Sequence, residues 1–275
     1  MKLGVLLRIK DINSCNEEFQ KVRELGLETC QLVYKPKEYK KEDAEIIKEA
    51  ADKAGVEISA QFCGYYDNYT IWDIYYGYCT AGLNVEAYRA ERLEYLCAGA
   101  EFVHWLGITD MIIHAGFIPN NPFSPEYATM LSSIEFLSSK CQALGLNLLF
   151  ETGAESPITL LRLIQDIGRD NLFINFDPAN VLMYGYGNPV DALHVYGKYV
   201  RNVHGKDGLL PENPRKLGKE TVVGEGMVDF PRVLRKLKEL GYDRYITIER
   251  EISGPRQIED ILKAKKYIEK LLSEL

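Results

Sequence analysis

Glu151, Asp177, His204 and Glu249 each close a short apolar run, and each is of a type that binds a metal ion or moves a proton. Glu151 follows Asn147-Leu-Leu-Phe, Asp177 follows Leu172-Phe-Ile-Asn-Phe, His204 follows Val200-Arg-Asn-Val, and Glu249 follows Tyr245-Ile-Thr-Ile. A lone carboxylate after a strand is more often a helix cap, and a lone His a hydrogen-bonded core group. Four at successive strand ends point to a shared purpose. Carboxylates a few Å apart disfavour joint ionisation, and a divalent cation is the simplest way to neutralise three of them. Three carboxylates and one imidazole make a hard site that suits Mn²⁺ or Mg²⁺ and accepts Co²⁺, Fe²⁺ or Zn²⁺.

The elements that must bring these residues together follow from hydrophobic period. Strands are expected at Leu3–Leu7, Thr29–Val33, Glu57–Phe62, Met111–His114, Asn147–Glu151, Leu172–Asp177, Val200–His204 and Tyr245–Glu249. Their runs are mostly continuous rather than alternating, as in a parallel sheet covered on both faces. Helical spacing fills the intervals at Glu17–Leu25, Lys41–Ala54, Val85–Leu106, Pro125–Leu144, Pro157–Ile167, Pro189–Tyr199, Phe230–Leu240 and Ile258–Leu272. Several of these helices run into glycine, as at Ala54-Gly55, Leu106-Gly107 and Leu240-Gly241, the usual way to close a helix C-terminus. Eight strand–helix units without a Pro/Ser-rich linker predict a single α/β domain over residues 1–275, a closed (β/α)8 TIM barrel. A doubly wound sheet would carry a Gly-rich phosphate turn, and no G-x-G-x-x-G or Walker-type loop follows any strand. In a barrel the four strand ends share one rim.

One segment breaks the rhythm. Gly64–Leu83, between the third strand and the third helix, carries Tyr65, Tyr66, Tyr69, Trp72, Tyr75, Tyr76 and Tyr78. A long aromatic insertion at that rim reads either as a substrate lid or as a packed loop or subunit contact. The substrate pocket is expected from loops of the first four strands, with Arg8, Tyr34, this insertion and Phe117–Phe123.

Composition excludes several classes. The 275 residues carry 33 Lys+Arg against 40 Asp+Glu, a net charge of −7, with no basic tail. That balance argues against sequence-independent nucleic-acid binding, which rests on neutralising phosphates. No run approaches the roughly 20 apolar residues of a membrane span, and Arg8 and Lys10 cut the first apolar run too early for a signal peptide. A cytoplasmic protein with no membrane partner is expected. The six cysteines, Cys15, Cys30, Cys63, Cys79, Cys97 and Cys141, show no C-x-x-C spacing and are expected as free thiols.

Phe150-Glu151-Thr152-Gly153, Asn175-Phe176-Asp177-Pro178-Ala179-Asn180, Val203-His204-Gly205-Lys206-Asp207, Gly224-Glu225-Gly226-Met227-Val228-Asp229-Phe230 and Ile248-Glu249-Arg250-Glu251 carry a family likeness. The sequence resembles the xylose isomerase-like barrels, the superfamily of sugar and sugar-phosphate isomerases and epimerases that also includes apurinic endonucleases. The likeness runs through essentially the whole chain in order. It implies that Glu151, Asp177, His204 and Glu249 hold one divalent metal ion, as in the tagatose 3-epimerase-like members. It also implies that Glu151 and Glu249 are the acid/base pair on opposite faces of a bound sugar. The related endonucleases carry three zinc ions on a fuller His and Asp set. Where they have those further ligands, this chain has Cys63 or Gly64, Asn180, and Gly218 with Glu220. His114 matches a fourth-strand His of the family, and with a single metal it is expected to contact substrate.

Other residues carry a functional reading beside a plain one. Lys206 points its cation at a substrate hydroxyl, enolate or phosphate, or it pairs with Asp207 or Glu251. Asn180 contacts either substrate or a metal-binding carboxylate. Glu225 organises its Gly-rich loop through backbone N–H groups, or reaches His204 or Lys206. Arg250, one residue past the strand end, should point away from the site and be structural. His104, Trp105 and His194 fall inside helical patterns and read as packing residues.

The chemistry that unites these assignments is epimerisation or isomerisation of a ketose or cyclic polyol ketone through an enediolate. A metal ion polarises the carbonyl, one glutamate takes the α-proton and the other returns one. A second step that expels a β-hydroxyl would instead give a dehydratase of the inosose dehydratase kind. A phosphodiesterase acting on abasic DNA is disfavoured by the acidic charge and the missing ligands. A sugar-binding scaffold has no need of two carboxylates flanking a metal. Homodimers or homotetramers are common among the relatives.

Overall fold

A computed structural model describes residues 1–34, 39–65 and 67–275. Tyr66, counted among the aromatic residues of the insertion, lies outside them. Eight parallel strands close into a barrel: β1 (Lys2–Leu7), β2 (Thr29–Val33), β3 (Glu57–Cys63), β4 (Asp110–Ile113), β5 (Asn147–Glu151), β6 (Leu172–Phe176), β7 (Val200–Gly205) and β8 (Tyr245–Ile248). Each strand pairs with its neighbours in sequence, and β8 closes the ring on β1 with Gly4 opposite Thr247. The helices that follow are α1 (Cys15–Glu24), α2 (Lys41–Ala54), α3 (Glu86–Leu106), α4 (Pro125–Ala143), α5 (Pro157–Ile167), α6 (Pro189–Tyr196), α7 (Phe230–Glu239) and α8 (Pro255–Ser273). The chain is therefore a (β/α)8 TIM barrel, as its sequence period predicts.

Three strands end one residue sooner than expected. His114, Asp177 and Glu249 stand just beyond β4, β6 and β8. For Asp177 the cause is local. The pair Asp177-Pro178 starts a six-residue helix, Pro178–Met183, whose first turn tolerates proline because its N–H has no helical partner. Asp177 caps this helix, and Oδ1 accepts the Asn180 N–H at 2.9 Å. Ser124-Pro125, Ser156-Pro157 and Asn188-Pro189 start α4, α5 and α6 in the same way, each with a side-chain cap. Pro178–Met183 is too short to show a helical period, so the sequence gives no warning of it.

Alternation along the strands sorts two interiors. Outward residues such as Cys30, Leu32, Met111, Leu148 and Ile246 pack against the helices. Inside the barrel, Ala60, Ile112 and Leu149, with Phe62 and Phe173, make an apolar plug on the β3–β6 side. The other side is polar, with Gln31, Asn175, Asn202 and Thr247 fully buried. Register shifts fall between Cys30 and Gln31 and between Ile174 and Asn175. In each the extra residue lies on the partner strand, Ser59 of β3 and Arg201 of β7, next to the pairings of Gln31 and Asn175.

All six cysteines are free. Among the described residues no helix is long and apolar enough to cross a membrane.

Candidate metal centre and active site

Strands β5, β6, β7 and β8 deliver Glu151, Asp177, His204 and Glu249 to one point. One ligand atom from each lies within 4.8 Å of all the others, and all four residues are buried. His204 Nδ1 stands 3.0 Å from Glu151 Oε1, 2.9 Å from Glu249 Oε2 and 3.7 Å from Asp177 Oδ2. The far side of the ring faces two amides: Nε2 lies 2.7 Å from the carbonyl oxygen of the Gln31 side chain, which only accepts hydrogen bonds, and 3.1 Å from the Asn175 amide nitrogen, which also donates to Glu151. If the shorter contact, to Gln31, takes the Nε2 proton, the ring in its neutral form aims the Nδ1 lone pair into three carboxylates.

That arrangement calls for a cation. Nδ1 of His204 and Oδ2 of Asp177 are both buried without a hydrogen-bond partner, although buried polar groups are nearly always paired. The Lys206 ammonium adjoins the cluster, 3.3 Å from Glu249 Oε2, 3.5 Å from Asp177 Oδ2 and 2.7 Å from Glu251 Oε1. Three carboxylates against one ammonium leave two negative charges, which a divalent ion matches. The donor set, three hard oxygens and one imidazole nitrogen, fits such an ion.

The field of the cluster shows in its proton affinities. Burial alone lowers that of His204, but Glu151 and Glu249 raise it well above the ordinary imidazole value. A proton at Nδ1 would therefore oppose any metal ion bound there. Burial pushes the Glu151 carboxyl up. Burial also acts upward on Glu249, but Lys206 and His204 outweigh it and hold that carboxyl well below the usual range. Lys206 stays protonated, because Glu249, Asp177 and Glu251 overcome the effect of its burial.

Two residues absent from the sequence-based site support it. Asn175 donates to Glu151 Oε2, and its Oδ1 accepts from Gln31 Nε2 at 3.1 Å. Gln31, Asn175 and His204 thus form one buried relay across the barrel. Asn180 bridges two of these groups: Nδ2 donates to Glu151 Oε1 at 3.4 Å, and Oδ1 accepts from Lys206 at 3.4 Å. Glu155, also missed, is buried four residues past Glu151. Burial pushes its carboxyl up to about 8.

His114 lies beside the cluster. Its ring is 5.8 Å from that of Phe62, which is 6.4 Å from His204. Burial first, then the charge of Lys206, lowers its pKa to about 4, so the ring is neutral at ordinary pH. Arg250 points away, as expected, and pairs with Glu220 at 2.8 Å and Asp260 at 2.9 Å.

Two expectations need correction. Glu225 is exposed and reaches neither His204 nor Lys206. The loop is organised instead by Asp207, whose carboxylate accepts the backbone N–H groups of Gly208, Gly224, Gly226 and Val228 at 2.8–3.0 Å. Gly226 is required there, since a Cβ would come within 2.2 Å of Asp207 Oδ1. Tyr34 is not at the rim. It shares the outward face of Cys30 and Leu32, and its ring packs 5.3 Å from Phe102 of α3.

A cavity of about 950 Å³ lies on the flank between α1 and α8. Arg8 lines it, but of the four clustered residues only Glu249 does. It is a neighbouring groove and not the centre itself.

A family model described as xylose isomerase-like TIM barrel matches residues 19–271. Among solved structures, a xylose isomerase domain protein from Planctomyces limnophilus is 31% identical, with a TM-score of 0.91 over 99% of this chain and 98% of that one. A D-tagatose 3-epimerase-like protein, at 23% identity and a TM-score of 0.74 over 99% of this chain and 97% of that one, shares the fold. An inosose dehydratase from Lacticaseibacillus casei is 25% identical over 162 residues, 52% of this chain and 54% of the relative. The chain thus spans about half the length of the curated relatives it matches.

Proposed function

The chain belongs to the xylose isomerase-like TIM barrel family, and from that premise we propose that it is a divalent-metal-dependent isomerase or epimerase of a ketose or cyclic polyol ketone. The observation that carries this reading is the pair of orphaned buried atoms, His204 Nδ1 and Asp177 Oδ2, between Glu151 and Glu249. Glu151, Asp177, His204 and Glu249 would hold the metal ion, with Mn²⁺, Mg²⁺ or Co²⁺ favoured by the oxygen-rich set. The ion supplies Lewis acidity toward a carbonyl oxygen.

The protein's own groups do the rest. Glu151 and Glu249 arrive from strands three apart, on either side of Asp177 and His204. One carboxylate takes the proton from the carbon beside the carbonyl, and the other returns one to the opposite face. Lys206 and the neutral His114 direct donors at the substrate's oxygens, and Asn180 keeps Glu151 and Lys206 in place. Burial of the whole cluster excludes water, which strengthens each of these interactions.

The dehydratase reading has one observation in its favour, the likeness to an inosose dehydratase. It shares the first proton removal and differs in the second step, loss of a β-hydroxyl. Incubating the Mn²⁺-loaded protein with ketoses and inososes in deuterated water separates the outcomes. Deuterium at the carbon beside the carbonyl of an epimerised sugar, without any new absorbance and absent in Glu151→Gln and Glu249→Gln, supports the epimerase reading. A new enone or diketone absorbance identifies a dehydratase, and no exchange with any sugar refutes both.

A further inference from the structure

Helix α3 contains a charged residue with no exposed surface, Arg92. A guanidinium does not deprotonate in proteins, so its burial must be offset by partners. Nε donates to Asp67 Oδ2 at 2.9 Å and Nη1 to the Gly82 carbonyl at 2.8 Å. Nη2 donates to Thr70 Oγ1 at 2.8 Å and to the Thr80 carbonyl at 2.6 Å. The ring of Tyr65 lies 4.8 Å from the guanidinium carbon, and that of Tyr88 lies 5.0 Å from it. Every one of these partners except Tyr88 belongs to the aromatic insertion between β3 and α3. Tyr88 grips it too, stacked on Tyr69 at 4.8 Å and 4°.

The same segment reaches the rim. Tyr65 donates its hydroxyl to the His114 carbonyl at 2.5 Å and stacks with Trp72 at 6.3 Å and 14°. Trp72, half-buried, places its ring 4.7 Å from that of His114. Contacts therefore run without a break from Arg92 through Tyr65 and Trp72 to a ring beside the metal cluster.

We propose that Arg92 is a positioning residue that pins the insertion so that Trp72 forms an apolar wall over His114, against which the C–H face of a ketose or cyclic polyol ketone packs. This rests on reading the cluster as a sugar site. An aromatic face carries partial negative charge and attracts the weakly positive C–H groups of one sugar face, while the hydroxyls stay turned to polar partners. The wall contributes to binding and leaves the proton transfers to others, since none of Arg92's described partners is a member of the cluster.

Trp72 and Trp105 are the two tryptophans of the chain, so Trp105→Phe leaves Trp72 as the single emitter when tryptophan is excited selectively over tyrosine. In that Mn²⁺-loaded background, titration with D-fructose and with an inosose is expected to protect Trp72 from acrylamide quenching by roughly twofold. Arg92→Lys is expected to expose Trp72, and both Arg92→Lys and Trp72→Ala to raise KM about tenfold or more with kcat changed less than about threefold. Trp72→Phe should recover most of the KM. If Arg92→Lys does not fold, the Trp72 variants alone decide. An unchanged KM in Trp72→Ala, or a loss in kcat alone, overturns the inference. A wild-type protein that exchanges deuterium into no ketose or inosose refutes the parent reading instead. The wall is then judged by the titration, where protection by either sugar supports it and no protection overturns it.

Discussion

The side-chain carbonyl of Gln31 on β2 and Nε2 of His204 on β7 lie 2.7 Å apart in the barrel interior, and this contact decides what the imidazole offers on its other side. With its Nε2 proton held by Gln31, the ring in its neutral form presents Nδ1 as a lone pair, whereas the carboxylates favour a second proton there. Asn175 fixes Gln31 in turn, through the 3.1 Å bond to Oδ1.

Gln31→Met, close in volume but without the acceptor, is expected to weaken Mn²⁺ binding roughly 10–100-fold. Calorimetric titration of the purified variant measures this. An affinity equal to wild type would mean that the tautomer is set by something other than Gln31.

Asp177→Asn separates the cost of the empty-handed carboxylates from their use. Asn caps the helix at Pro178 as well as Asp does, and it removes a charge from a cluster of three. The metal-free variant is therefore expected to melt no lower than metal-free wild type. Mn²⁺ at about 100 times its Kd should stabilise the wild type by about 2.7 kcal/mol. For a chain of this size that is roughly 5–10 °C in Tm, and the variant should lose most of it. A scanning-fluorimetry pair with and without Mn²⁺ tests both halves, and an equal shift in the two proteins removes Asp177 from the ligand set.

The four clustered residues were legible because each ends an apolar run, and strand parity then carries them to one rim. Their supports were not. Gln31 lies inside Thr29-Cys-Gln-Leu-Val, and its partners are 144 and 173 residues away. Nothing local marks that pairing. Asn175 hides in Phe173-Ile-Asn-Phe for the same reason. Tyr34 was a different case. Parity with Cys30 and Leu32 places it on the outward face, whereas its nearness to a strand end suggests the rim. The error at Glu225 came from choosing the carboxylate between the two glycines over Asp207, 17 residues before Gly224, whose four bonds form only when the loop folds back.

Asp207→Ala removes the acceptor of four backbone N–H groups in a fully buried position and is expected to cost roughly 2–4 kcal/mol. Glu225→Ala, on the exposed side of the same loop, should stay within about 0.5 kcal/mol. Urea unfolding of the two variants beside wild type checks the contrast. Equal costs would show that the loop does not depend on Asp207.

Glu155 predicts a pH signature in the metal-free protein. Burial raises its carboxyl from 4.5 to about 8, so between those values the folded chain holds a proton that the unfolded chain releases. Its contribution to stability is complete below pH 4.5 and is lost as pH rises through 8, about 5 kcal/mol in all. Glu155→Gln keeps an acceptor for the Gly153 N–H and does not titrate. Wild type should therefore lose more stability than the variant between pH 5 and 8.5. Parallel curves would place an ionised Glu155 in the fold.

Lys206 distinguishes holding the metal from using it. Its ammonium lies 3.5 Å from Asp177 Oδ2 and 3.3 Å from Glu249 Oε2, so it repels an incoming cation while lowering the repulsion among the carboxylates. Lys206→Met leaves the cluster with three uncompensated negative charges. Mn²⁺ affinity is then expected to hold or rise, because each added negative charge near the site favours a dication. Turnover should fall by about 100-fold or more, the usual cost of losing a charged donor aimed at developing negative charge. Calorimetry and a deuterium-exchange assay on one preparation read both quantities. Affinity lost along with turnover would mean that Lys206 chiefly holds Asp177 and Glu249 in their binding geometry, and turnover retained would remove it from the substrate's reach.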